Sequence, residues 1–479
     1  LNDISKKMSI KNSSQVTLMF PGQGSQYMAM GKQLLNSSSF FKNIFDELCT
    51  ALLEISNIDL VDMFLDHEQK KSDKLLNDTY YTQPYLYIME YSIARYLIEL
   101  GVKPIQMIGH SIGEFVAATI AGVFSPYDAL KIICKRASLM KALPKGSMLL
   151  VALGKEAVTP FLNRNIQIAA VNAFNNTVLA GTDESIQKLV DQLSSENIMA
   201  KKIHTSHAFH SQMMKPIVSE FYHFLKEFEF KRPNFAFYSC VTTQKEIDLF
   251  TQPMYWAEHV EKPVLFWPTL KNLIKETSGL LCEVGPRKTL TNFSLKAIKQ
   301  VKASNTHALS LLSGDVNNEL SDFYKGIAKM WCYGVDLKLW DLIPLDDQIR
   351  GMGIPYVFKP SKHWLEFKTN KINYMKKNNL ELGKKMNEKK LETLLEKLSV
   401  IFEEASGVDV SDYSQDTNFV EMGMDSLFLT QVALNIQKEL DVDISFRQLL
   451  EDFSSLSLLA QGIVQDVSES ALGIKNEDI

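Results

Sequence analysis

Over the first three hundred residues, short apolar runs that stop at glycine or proline alternate with stretches whose apolar residues recur every three or four positions. That pattern predicts strands alternating with amphipathic helices, an α/β fold. Residues 15–20 predict a buried strand, stopped by Pro21-Gly22-Gln23-Gly24-Ser25-Gln26 and followed by a helical pattern through Met30, Leu34 and Leu35. Leu86, Met89, Ile93, Leu97 and Leu100 share one face of a long helix, with Pro84 fitted to its first turn. The apolar run 104–108 passes through Gly109-His110-Ser111-Ile112-Gly113 into Glu114–Ala118, which reads as strand, tight turn and helix, and 127–143 predicts a further helix. From Gly146 the texture changes to short strands at 147–153, 166–171 and 177–181, with helices at about 155–163 and 183–195. This predicts a small ferredoxin-like α+β subdomain over about 146–206.

The tail is patterned differently. Leu391, Leu394, Leu395, Leu398, Ile401 and Phe402 line one helix face, Leu429, Val432, Ile436 and Leu440 another, and Leu456, Leu458, Leu459 and Ile463 a third. An all-α four-helix bundle over 390–468 follows. Charge separates it from its surroundings: residues 391–470 hold 16 acidic and 3 basic side chains, whereas 361–390 hold 9 lysines and 3 glutamates. The lysine-rich stretch 368–389 predicts a flexible tether. An acidic module argues against nucleic-acid binding and for docking on basic partners.

With 479 residues, 46% hydrophobic and 22% charged, the chain has room for two to four domains. No apolar stretch approaches a membrane span, and residues 1–12 are too polar for a signal peptide. Leu1 stands where Met would open a chain, as expected of a piece of a longer protein. The five cysteines lack metal-ligand spacing, which suits a reducing cytoplasm and argues against a disulfide frame or zinc site.

Candidate chemistry centres on Gly109–Gly113. G-x-S-x-G between strand and helix is a nucleophile elbow, on which Ser111 can attack a carbonyl carbon with helix N–H groups close behind it. The loop 21–26 lacks the lysine of a P-loop, which excludes nucleotide hydrolysis there. It is either an ordinary turn or the source of a backbone N–H, that of Gln23, for an oxyanion at Ser111. Gln83 could reach into a cleft or simply shape a turn, and Arg136 lies one helix on from the serine. His204, His207 and His210 offer a metal site or, with no carboxylate or cysteine beside them, a general base for Ser111.

Phe20–Gln26, Gly109–Glu114, Arg136 with Met140, His207-Ala208-Phe209-His210 and Glu283-Val284-Gly285-Pro286 together resemble the ordered motifs of malonyl-CoA:acyl carrier protein acyltransferases, above all those of modular polyketide synthases. The resemblance covers about 14–300 and implies an α/β-hydrolase-like core. The stretch 351–364 resembles the aromatic linker that follows such domains, within a linker region of 301–367. By resemblance, Ser111 is the nucleophile, His210 the base, and Gln23 and Ile112 the oxyanion donors. Arg136 pairs with the malonyl carboxylate, Gln83 lies in the pocket, and a backbone carbonyl near 263–265 holds His210 in place of an Asp. His207 and Phe209 belong to the motif form that accompanies malonyl rather than methylmalonyl units, with Phe209 crowding an added methyl. No metal is implied.

Gly423-Met424-Asp425-Ser426-Leu427 at a helix start, within an acidic bundle, resembles an acyl or peptidyl carrier protein. The resemblance implies 4'-phosphopantetheine on Ser426, installed by a separate phosphopantetheinyl transferase. The expected function is transfer of malonyl from malonyl-CoA through an acyl-serine to the carrier thiol, with a ketosynthase and other assembly-line modules as partners. Alternatives are a thioesterase editing carrier-bound acyl groups, a substituted malonyl unit as substrate, and a docking scaffold with a degenerate acyltransferase.

Overall fold

The alternating runs form a six-stranded sheet in the computed structural model, which describes residues 15–65, 75–203, 205–342 and 381–468 apart from 407–409, 411, 412, 420, 421, 423 and 425. The chain divides into two units, with the division between Lys338 and Leu339. The strands are β1 (Val16–Phe20), β2 (Pro104–Gly109), β3 (Ser147–Val151), β4 (Ile166–Ala173), β5 (Asn176–Gly181), β6 (Ala200–Ile203), β7 (Phe237–Tyr238), β8 (Lys245–Glu246), β9 (Gly279–Glu283) and β10 (Thr306–Ser310). The large sheet runs β10-β9-β1-β2-β7-β8, parallel except for the β7–β8 pair. All five residues of β1 are buried, as in a parallel sheet covered on both faces.

The helices of this unit include α1 (Thr79–Glu99), α2 (Gly113–Ile120), α3 (Pro126–Lys141), α4 (Asp183–Ser195), α5 (Pro253–Glu258) and α6 (Glu319–Cys332). Asp78 caps α1 by accepting from the N–H of Tyr80, so the helix begins earlier than the apolar spacing predicts. Pro84 therefore lies in its second turn rather than its first. The sheet also runs past residue 300, because β10 pairs with β9 and α6 follows it. Buried Glu319 on α6 accepts from the Tyr27 hydroxyl at 2.7 Å and from the N–H groups of Gly31 and Gln33 at 2.6 and 2.9 Å. Residues 301–332 thus belong to the core and not to a linker; the aromatic stretch 351–364 lies outside the described residues.

Strands β3–β6 form a separate antiparallel sheet, ordered β4-β5-β3-β6, with a core of Leu149, Val151, Leu179, Ile186 and Leu189 under α4. The helix predicted at 155–163 is only a 3-10 turn, Thr159–Phe161, in a segment interrupted by Gly154 and Pro160. β4 is stitched to the main body by Val171 N–H to Val264 O at 2.9 Å and Val264 N–H to Ala169 O at 2.8 Å.

The second unit contains α7 (Glu381–Ser406), α8 (Ser426–Leu440), α9 (Phe446–Glu451) and α10 (Leu456–Ile463). Leu394, Leu398, Phe402, Leu429, Ile436 and Leu459 are part of its own buried core. Helix α7 starts at Glu381, so residues 381–389 of the expected tether are helical. Among the described residues, no helix is long and apolar enough to cross a membrane.

Candidate active site

Parallel pairing sets Phe20 opposite Gly109, and His110 N–H donates to Phe20 O at 2.8 Å. The loop after β1 and the elbow after β2 therefore leave the sheet side by side at its carboxyl edge, where sites of open α/β sheets form. Close approach explains the elbow glycines: a Cβ on Gly113 would lie 2.2 Å from the Phe20 carbonyl oxygen, and one on Gly109 2.2 Å from Glu114 N. The left-handed backbone falls instead on Ser111, with φ 53°, the strained turn that lifts a nucleophile clear of its helix. The 21–26 loop crosses directly over the elbow, since a Cβ on Gly22 would lie 3.5 Å from that of Ser111. Among the described residues, the N–H groups of Gln23 and Ile112 donate to no acceptor.

Ser111 Oγ lies 2.7 Å from His210 Nε2, and His210 Nδ1 lies 2.9 Å from the carbonyl oxygen of Lys262. A carbonyl only accepts, so Nδ1 carries the proton and Nε2 is free to take that of Ser111. His210 is buried and also has a left-handed backbone, φ 56°. Burial, followed by the nearby His259 and Arg136, holds its pKa well below the ordinary histidine value. The imidazole is therefore neutral at pH 7, as a general base must be.

Arg136, on α3, is 1% exposed, and only its NH1 is paired, with Gln83 Oε1 at 2.5 Å. Its Nε and NH2 have no partner among the described residues, and burial pushes the guanidinium down to about 9. Gln83 spends its amide nitrogen on Met140 Sδ at 3.4 Å, which fixes the oxygen toward Arg136. Phe209 is buried with its ring 6.0 Å from that of His207. His207 has both ring nitrogens engaged, Nδ1 with Ser206 Oγ at 2.7 Å and Nε2 with Leu143 O at 3.0 Å, leaving it packing surface but no free polar atom. His204 lies outside the described residues.

Behind the dyad lies a buried carboxylate. Glu114 on α2 is fully buried; it accepts from Cys240 N–H at 3.2 Å and from the Tyr255 hydroxyl, and lies 3.6 Å from His259 Nε2. The His259 ring in turn stands edge-on to that of His210, 5.8 Å between centroids. Glu114 closes the elbow motif and was visible as such, but nothing local marks His259 as its neighbour. In the second unit, Ser426 is the first residue of α8. The open N–H groups of a 15-residue helix start fit a phosphodiester there.

A serine paired with an imidazole on a strand-to-helix elbow, beside two unused N–H donors, defines an enzyme of acyl chemistry. A family model described as acyl transferase domain matches residues 17–336, and the chain belongs to that family. A second model, phosphopantetheine attachment site, matches residues 396–463, a domain that carries covalently attached 4'-phosphopantetheine. The chain is 30% identical over 359 residues to one component of the phenolphthiocerol/phthiocerol polyketide synthase of Mycobacterium tuberculosis, a match that covers 74% of this chain and 24% of that protein. It is 34% identical over 290 residues to polyketide synthase GfsB of Streptomyces halstedii, 59% of this chain and 5% of that one. The chain thus spans a quarter or less of the length of these relatives. The acyltransferase domain from the second module of the salinomycin polyketide synthase superposes with a TM-score of 0.65 at 30% identity, covering 72% of this chain and 79% of that one. The mixed α/β first unit thus has the fold of polyketide synthase acyltransferase domains.

Proposed function

We propose that this chain transfers a malonyl extender unit from malonyl-CoA, through an ester on Ser111, to the phosphopantetheine thiol of an acyl carrier protein. The observation that carries the reading is Arg136: a buried guanidinium with two nitrogens unpaired among the described residues is a socket for the free carboxylate of a dicarboxylic acyl group. Ser111 attacks the thioester carbonyl as His210 takes its proton, the oxyanion meets the N–H groups of Gln23 and Ile112, and the C–S bond breaks. His210 returns the proton to the leaving coenzyme A thiolate. When bound, the phosphopantetheine arm supplies a thiol to accept the acyl group. His210 deprotonates whichever nucleophile resolves the ester, and Ser111 recovers its proton.

Ser426 is the proposed attachment point, and a phosphopantetheinyl transferase the partner that modifies it. Upstream and downstream partners would be a ketosynthase and other modules, in the cytoplasm. Phe209 favours malonyl over methylmalonyl, though one methyl in an apolar pocket is worth only about 1–3 kcal/mol. The strand order β4-β5-β3-β6 supports the ferredoxin-like reading of the subdomain, and the elbow supports the hydrolase-like core. Intact-protein mass spectrometry of the phosphopantetheinylated chain with malonyl-CoA tests the reading. A malonyl mass is expected on wild type and on Ser426→Ala, and none on Ser111→Ala. Absence of the mass from wild type sinks the malonyl assignment.

A further inference from the structure

Among the described residues no carboxylate bonds to His210, and a carbonyl orients its ring. That carbonyl belongs to Lys262, and the carbonyl of Val260 accepts the backbone N–H of His210 at 3.1 Å. Both come from the segment that continues α5, so the base is only as well placed as that segment. Glu114 holds the same segment through the Tyr255 hydroxyl, lies 3.6 Å from the His259 ring in it, and holds the chain just after β7 through Cys240 N–H. It does so from the first turn of α2, three residues after Ser111, where its own N–H donates to Ser111 O at 3.0 Å. The grip is exacting because Glu114 and His259 are walled from water at 0% and 1% exposure, with Phe115 and Trp256 against the His259 ring. The Tyr255 hydroxyl is fixed from its other side by Ser239 Oγ at 2.7 Å, which accepts in turn from Val241 and Thr242 N–H.

We infer that Glu114 is a positioning residue that holds the helix of the nucleophile in register with the segment supporting the base, doing at one remove what the carboxylate of a Ser-His-Asp triad does directly. His259 is its intermediary and stands against the His210 imidazole. The groups whose charge acts on His210 are His259, Arg136 and His110, with Glu114 beyond His259.

This inference rests on Ser111 and His210 acting as nucleophile and base, so its test reads the dyad without an acyl donor. The rate at which a fluorophosphonate labels Ser111, followed by intact mass against pH, is compared for wild type, Glu114→Gln, Tyr255→Phe and His259→Asn, with melting temperatures as a check on folding. Glu114→Gln keeps the volume but loses an acceptor, and a displacement of about 1 Å predicts labelling slower by about ten- to a hundredfold. Tyr255→Phe, which removes one grip and little packing, slows labelling in the same sense. His259→Asn removes one of the groups that hold the His210 pKa down, so the acid limb of the profile moves to higher pH. With malonyl-CoA, the loss falls on kcat while KM stays within about twofold, because the Arg136 pocket is untouched. Folded Glu114→Gln and Tyr255→Phe proteins that label at the wild-type rate overturn the inference, as does an acid limb unmoved in His259→Asn. Wild type that labels with fluorophosphonate but takes no malonyl from malonyl-CoA overturns the proposed substrate and leaves the test of Glu114 intact.

Discussion

A guanidinium taken out of water with two nitrogens unpaired weakens the protein that holds it, and a bound carboxylate removes that cost. Arg136→Gln is therefore expected to lower kcat/KM for malonyl-CoA by about 30-fold or more, the effect of removing one partner of a buried charge pair, and to leave slow acetyl-CoA turnover little changed. Because burial pushes the free guanidinium down to about 9, wild-type kcat/KM for malonyl-CoA falls as pH rises through that value. Acetyl-CoA, with no carboxylate to lose its partner, shows no such fall. A malonyl profile flat to pH 10 would mean that the guanidinium stays charged throughout, and an Arg136→Gln variant that keeps the wild-type kcat/KM for malonyl-CoA would remove Arg136 from substrate recognition. The G-x-S-x-G motif makes Ser111 stand out in the sequence, whereas Arg136 stands out only through the family resemblance. Glu114 and His259 could not be paired, since 145 positions separate them and burial brings them together.

At the level of elements, α1 buries a carboxyl that no neighbour satisfies. Both oxygens of Glu90 lack partners among the described residues, and burial, then Glu283, raises its pKa well above the ordinary carboxylate value. Such a group favours the folded state below its unfolded pKa, and that contribution is lost as pH climbs toward the folded pKa. Glu90→Gln should thus gain denaturant resistance over wild type at pH 8, with the gap narrowing at pH 5. A gap that widens on acidification would mean that the native carboxyl is ionised. The apolar face of α1 was readable, but not its start, which depends on the cap at Asp78. β10 escaped notice because Thr306-His307-Ala308-Leu309-Ser310 alternates weakly, as an edge strand does, and its membership is settled by pairing with β9.

For the whole molecule the dominant asymmetry is charge. Residues 391–470 carry a net −13 and the lysine-rich stretch 361–390 a net +6, with only +2 on the rest of the chain. Steering between oppositely charged bodies speeds encounter and is screened by salt. With Ser426→Ala as transferase and phosphopantetheinylated Ser111→Ala as carrier, transfer between chains should slow by about tenfold from 50 to 500 mM salt. Acylation of Ser111 at saturating malonyl-CoA should change by less than about twofold. Transfer insensitive to salt would rule out charge as the basis of carrier recognition.

The position of β1 between β2 and β9 also governs how the enzyme is made. At about 5–20 residues per second, β1 and β2 leave the ribosome roughly 10–50 s before β9 can pair, leaving uncovered one edge of a strand that is fully buried in the finished fold. Glu319, which ties down the segment after the Gln23 loop, arrives later still. Ser111 and His210 are thus synthesised well before the scaffold that supports them is complete, and a chain cut short after residue 300 would hold every proposed catalytic side chain of the transferase without the edge strand β10 and the Glu319 clamp that finish it.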